Sequence, residues 1–214
     1  MAPVERYIRD LISEGEHDRQ DFKFEITDSR KIARTLAAFS NTSGGRILIG
    51  VKDNGRISGI SSDEEYHMIE AAARMYCKPP VRFDSKKLVT GGKTILEVLL
   101  TETDRKPVKA MAEDGTWKAY IRIRDQNLQA PAVQISVWKK QMRKRGLYLP
   151  YDEEKKILLS YLSDHEDISL SRYCRLARIT RQKAVAVLSD LVVLGLISME
   201  YNDTGVTYSL KPGN

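Results

Sequence analysis

At 214 residues, with 42% apolar and 30% charged side chains, the chain can hold one large or two small domains around a real core, which excludes a disordered polyampholyte. Thirty-five Lys and Arg against 29 Asp and Glu leave +6, a basic excess that allows a polyanionic partner without demanding one. No apolar run approaches the ~18 residues of a membrane helix, and the two cysteines, Cys77 and Cys174, lie too far apart for a metal spacing.

In chain order, residues 4–14 place Val4, Tyr7, Ile8, Leu11 and Ile12 at helical spacing, and Gly15 suits the stop. QDFKFEI alternates, with Phe22, Phe24 and Ile26 on one face and Asp21, Lys23 and Glu25 on the other. Asp28 or Ser29 can cap a second helix with Ile32, Leu36 and Phe39 inside. RILIGV reads as a buried strand, and DNGR as a tight hairpin turn. Ser62 and Glu65 form a capping-box pattern for a helix to about Tyr76. Hairpins follow around Gly91-Gly92 and around Glu113-Asp114-Gly115, then a helix from AVQISV to Gly146. Composition shifts at GLYLPY (146–151), which sets the expected domains at 1–146 and 147–214. The rest reads as helices over 152–163, 170–178 and 180–194, with a short ISL segment after the first and a final hairpin.

Three short helices and a hairpin resemble the winged helix-turn-helix domains of bacterial transcription regulators, down to the Leu194-Gly195-Leu196-Ile197 phrase closing the third helix. The resemblance implies that the third helix enters the DNA major groove by its N-terminal end. Thr180, Arg181, Gln182 and Lys183 stand there, and Arg and Gln read guanine and adenine edges. Arg172, Arg175 and Arg178 would meet phosphates. Residues 151–214 carry eight bases and nine acids, so this module nets −1, but the acids gather on its first helix and the bases on the next two. A protein-interaction or oligomerisation role is therefore a competing expectation.

Residues 1–150 net +7. Lys139, Lys140, Arg143, Lys144 and Arg145 form a basic helix end that can clamp a DNA backbone or simply complement the helix dipole. Tyr120 and Arg122 share a strand face, where they can stack on and pair with nucleic acid or pack across strands.

Three phrases then stand in order: Glu16…Asp21-Phe22-Lys23, Ala38-Phe39-Ser40-Asn41-Thr42-Ser43-Gly44-Gly45, and Ile49-Gly50-Val51-Lys52-Asp53-Asn54-Gly55-Arg56-Ile57-Ser58-Gly59. With Lys78-Pro79-Pro80-Val81, Lys106-Pro107-Val108 and Tyr120-Ile121-Arg122, they resemble the Schlafen-type AlbA-like domain over roughly residues 10–130. In bacteria that domain is commonly joined to a winged helix in transcriptional regulators, and some Schlafen proteins are RNases. Their implicated acids correspond to Glu16, Asp21 and Asp53, which would hold a divalent metal, with Lys23 stabilising departing charge. The residues also admit duller roles: Asp53 before Asn-Gly is ordinary turn chemistry, and Lys23 can pair with Asp21 or Glu25. Gly44-Gly45 suits a left-handed helix end. No G-x-x-x-x-G-K-[ST] is present, so ATP use is not expected, and His17, His67 and His165 make no ligand set.

The expected fold is α+β, a mixed or antiparallel sheet with flanking helices plus a winged helix-turn-helix. The expected function is a DNA-binding transcriptional regulator, cytoplasmic and homodimeric, without cofactor. RNA is the second candidate partner, and a metal-dependent endoribonuclease is the alternative.

Overall fold

The structure is a computed structural model that describes residues 3–142, 152–202 and 205–211. The chain divides into two compact units, residues 1–130 and 131–214. The boundary expected at 146 lies outside the described residues, and the helix before it belongs to the second unit.

The first unit opens with α1 (Pro3–Glu14), then β1 (Gln20–Lys23), α2 (Ser29–Asn41), β2 (Gly45–Ile49), α3 (Glu64–Met75) and β3 (Cys77–Lys78). β4 (Asp84–Thr90), β5 (Lys93–Leu100), β6 (Lys109–Met111), β7 (Trp117–Ile123) and β8 (Gln126–Gln129) follow. One sheet runs β1-β2-β5-β4, with β1 and β2 parallel and the other pairs antiparallel. The second runs β3-β6-β7-β8, antiparallel throughout.

α2 organises this unit. Asp28 caps it by accepting from the Arg30 N–H at 2.7 Å. Ile32, Leu36 and Phe39 are buried as expected, but so are Ala33, Ala37, Ala38, Ser40 and Asn41. The small residues let the helix sit in a core shared by Ile47, Ile49, Leu96 and Val98 of the first sheet and Val108, Ala110 and Tyr120 of the second-sheet region. Each large apolar side chain sealed there contributes about 1.5–3 kcal/mol. α1 covers the opposite face of the first sheet, where Ile8, Leu11, Phe22, Leu48 and Ile95 form a separate cluster.

Three local expectations change. β1 ends at Lys23, so Phe24 does not share the burial of Phe22 and is 46% exposed. The capping box at Ser62 does not form: the cap is Asp63, and Glu65 is buried instead of reaching back. β8 is a strand that the sequence pattern does not announce.

The second unit comprises α4 (Ala132–Gln141), α5 (Glu153–Asp164), β9 (Ile168–Ser169), α6 (Leu170–Ala177), α7 (Arg181–Val193), β10 (Ile197–Asn202) and β11 (Gly205–Leu210). The strands are ordered β10-β11-β9. Its core joins Val133 and Val137 of α4 to Leu158, Tyr173, Leu188, Leu191 and Tyr208. Seven helices lie among the described residues, and none of them is long and apolar enough to cross a membrane.

Candidate functional site

The acidic set is built around a loop and a strand. Gln20 is fully buried, and its side-chain amide donates to the Leu11 and Gly15 carbonyls at 2.6 and 2.8 Å, folding the Glu16 loop under α1. Glu16 Oε1 then accepts from the Phe22 N–H at 2.9 Å. Burial raises the Glu16 carboxyl above its ordinary value and the adjacent Asp21 carboxylate adds to this, while the Phe22 N–H and Lys23 pull the other way.

Asp21 is not on a free face; it is 2% exposed. Its Oδ1 accepts from Arg122 Nη2 at 2.9 Å, and its Oδ2 lies 2.7 Å from Lys23 Nζ. Arg122 is 1% exposed. Its Nε donates to the His17 carbonyl at 3.3 Å, Nη2 also to the Gln20 carbonyl at 3.2 Å, and Nη1 to Asn127 Oδ1 at 3.2 Å. The guanidinium lies 5.1 Å from the centroid of the Phe39 ring. Two buried charges are tolerable only when so fully partnered.

Asp53 is exposed in its turn, where the Gly55 N–H donates to the Lys52 carbonyl at 2.7 Å. Among the described residues no three His, Cys, Asp or Glu side chains form a group able to hold a metal. Glu16 and Asp21 are brought together and Asp53 does not join them, while Asp21 is already held by Lys23 and Arg122. This arrangement does not fit a divalent ion on the three acids.

The phrase between them is scaffold. Asn41 donates to the Val108 and Tyr120 carbonyls at 2.7 and 2.9 Å and accepts from the Val108 N–H at 2.7 Å, tying α2 to the second sheet. Thr42 Oγ1 accepts from the Arg122 N–H at 3.0 Å. Gly45, at φ +155°, would put a Cβ 2.7 Å from the Arg19 carbonyl and 2.8 Å from the Phe39 ring, so no larger residue fits.

Tyr120 and Arg122 do not offer a stacking face. Tyr120 is 6% exposed and lies under Arg34, whose guanidinium is 5.2 Å from the ring centroid. Packing inside the unit occupies both residues. A different surface of the first unit is concave: a cleft of about 580 Å³ between the Pro79–Arg82 and Thr101–Arg105 segments, with Ser40 and Val108 at its base. The Lys-Pro phrases that flank it are its only signal in the sequence.

In the second unit the α6–α7 turn is sharp. Arg178 adopts the left-handed conformation at φ +53°, and the Ile179 N–H bonds the Cys174 carbonyl at 3.1 Å. Thr180 caps α7, its hydroxyl accepting from the Lys183 N–H at 3.3 Å. Thr180, Arg181, Gln182 and Lys183 are all exposed, as are Arg172, Arg175 and Arg178. Arg172 stacks 5.3 Å from the Tyr161 ring centroid, and Lys183 Nζ lies 3.4 Å from Glu154 Oε1. Of the basic helix end, Lys139 is exposed, but Lys140 turns inward to Asp190 at 2.6 Å, the Ala186 carbonyl and Ser189. Lys140 therefore fastens α4 to α7 and is not available to a phosphate. Arg143, Lys144 and Arg145 lie outside the described residues.

A family model described as Schlafen, AlbA_2 matches residues 16–131. No curated protein matches the chain. Among solved structures, the DIP2311 protein from Corynebacterium diphtheriae is 15% identical with a TM-score of 0.44, over 68% of this chain and 34% of that one. This chain thus spans about a third of that protein's length. The N-terminal domain of a RecG-related protein from Nitrosomonas europaea is 20% identical with a TM-score of 0.45, over 72% of this chain and 99% of that domain.

Proposed function

The chain belongs to the Schlafen AlbA_2 family, and on that premise we propose that it is a nucleic-acid-binding protein, more narrowly a DNA-binding transcriptional regulator. In this reading the second unit is a winged helix-turn-helix that places the start of α7 in the major groove. The observation that carries it is the exposed, basic start of α7. Arg181 has no ion pair among the described residues, Gln182 beside it is exposed, and Arg175 and Arg178 likewise have no ion pair among the described residues. The cap at Thr180 fixes the first turn, so the side chains that follow leave a rigid helix end in a set direction. An N-terminal helix dipole adds favourable potential for phosphate.

Regulators of this class read two-fold sites as dimers, so the proposed state is a homodimer. The reading rests less well on RNA cleavage, because the acids that resemble an RNase site are divided between a sealed ion pair and an exposed turn.

The test is binding of the full chain to mixed-sequence duplex DNA across a salt series. Arg181→Ala with Lys183→Ala should weaken binding tenfold or more and make the plot of log affinity against log salt shallower by about 1–2. An unchanged affinity and slope would remove α7 from the interface. Cleavage of RNA in manganese, lost in Asp53→Ala, would replace this reading with the nuclease.

A further inference from the structure

We infer that the cleft of the first unit is a binding site for a small organic carboxylate with an apolar body. The site uses none of the residues of the α7 reading, and its ligand is a small molecule rather than a polymer.

Backbone bonds hold the cleft open. One wall follows β3 and the other follows β5, strands of different sheets. The Val81 N–H anchors the first wall to the Ala73 carbonyl of α3 at 3.0 Å. The Thr103 N–H anchors the second to the Ser40 carbonyl of α2 at 2.9 Å. The Arg105 N–H then donates to Thr103 Oγ1 at 3.1 Å and tightens the second wall into a turn. At about 580 Å³ the space has the size of a small-molecule site.

Its polar lining is rich in donors. Arg82 and Arg105 stand one on each wall, exposed and without an ion pair among the described residues. Ser40 at the base is 2% exposed, and its hydroxyl makes no hydrogen bond among the described residues. Polar groups on buried residues are ordinarily bonded, so this hydroxyl has a partner to gain from the cleft. Thr103 Oγ1 accepts from the Arg105 N–H and keeps its own proton to give. Of the two acids in the lining, Glu102 is taken by Lys106, which leaves Asp104 against two arginines.

That balance leaves a surplus of one positive charge, which suits a single carboxylate better than a phosphate dianion. Each guanidinium can offer paired N–H groups to the two carboxylate oxygens. The rest of the lining is apolar. Pro79 and Pro80 have no N–H to offer, and with Val81 and Val108 they present carbon to the body that carries the carboxylate.

The probes are valerate and phenylacetate, each one carboxylate on an apolar body, with acetate and inorganic phosphate for comparison. Titrated into the full chain, at least one of the first two should shift the Ser40, Thr103 and Arg105 amide resonances saturably and raise the melting temperature with concentration. Acetate, lacking the body, and phosphate, with its second charge, should bind at least about tenfold more weakly. Arg82→Ala and Arg105→Ala should each weaken the better probe about tenfold, the scale of one hydrogen bond to a charged group. Ser40→Ala removes a hydroxyl with no internal partner, so it should keep the parent's stability and still weaken binding several-fold. Arg56→Ala, at an exposed arginine outside the cleft, should change nothing. No saturable shift up to about 10 mM of either probe, tighter binding of phosphate, or an affinity unchanged in the arginine and Ser40 variants overturns the inference. Duplex binding is measured separately, so this site and the α7 reading stand or fall apart.

Discussion

Arg122 in the first unit and Arg181 in the second are both arginines on regular elements, and their surroundings are opposite. Arg122 is 1% exposed, and all three guanidinium nitrogens donate, to Asp21, Asn127 and two backbone carbonyls. Arg181 is exposed, and no carboxylate holds it among the described residues. The first arginine completes a core. The second leaves its hydrogen-bonding capacity open to whatever arrives from solvent. The same division separates Asp21 from Asp53 and Lys140 from Lys139. A charged residue informs about binding only after its internal partners are known.

The largest expected effect comes from breaking the sealed side of this comparison. Asp21→Ala leaves Arg122 charged and dry, and such losses cost about 3–5 kcal/mol. In a denaturant titration the midpoint should fall far, with Asp21→Asn falling less because its amide oxygen still accepts from Arg122. A midpoint within error of the parent would mean that the pair is solvated and that Asp21 is free for chemistry after all.

The next effect lies on the open side and is smaller. Thr180→Ala removes the side-chain acceptor that fixes the first turn of α7 and should cost about 1 kcal/mol. Because the reading side chains depend on that turn, duplex affinity should drop even though Thr180→Ala removes no charge. Thr180→Ser should restore both. A loss of stability without any loss of affinity would detach the cap from recognition.

Local features were legible in the sequence and distant pairings were not. The Asp28 and Thr180 caps, the Gly91-Gly92 hairpin and the exposed start of α7 depend on residues within a few positions of one another. Arg122 meets Asp21 across 101 residues, and Asn41 meets Val108 and Tyr120 across 67 and 79. No periodicity reports such pairings, so the sequence leaves Arg122 open between nucleic-acid contact and cross-strand packing, and Asn41 reads as a motif letter. Lys140 is hidden the same way, because Asp190 is 50 residues on. β8 escapes because QNLQ carries one apolar residue and no alternation; the ladder to β7, the bond Asn127 donates to Thr35 and the one it accepts from Arg122 hold it instead. The cleft at Pro79 and Thr101 joins segments that follow strands of two different sheets, anchored through Val81 N–H to the Ala73 carbonyl of α3 and Thr103 N–H to the Ser40 carbonyl of α2.

The smallest expected effect tests where the sealed region begins. Glu16 sits at its rim, with burial first and Asp21 second holding its carboxyl above the ordinary 4.5. The folded state therefore binds this proton more tightly than the unfolded chain, so Glu16 makes stability decline as pH rises from about 4.5 through the raised value. Below that window the group is protonated in both states and contributes no slope. Glu16→Gln keeps the acceptor for the Phe22 N–H and removes the ionisation. Its stability curve should be flatter than the parent's just above pH 4.5 and parallel to it at higher pH. A parent and variant with the same slope throughout would show that Glu16 ionises as freely as a surface acid, moving the edge of the sealed region inward to Asp21.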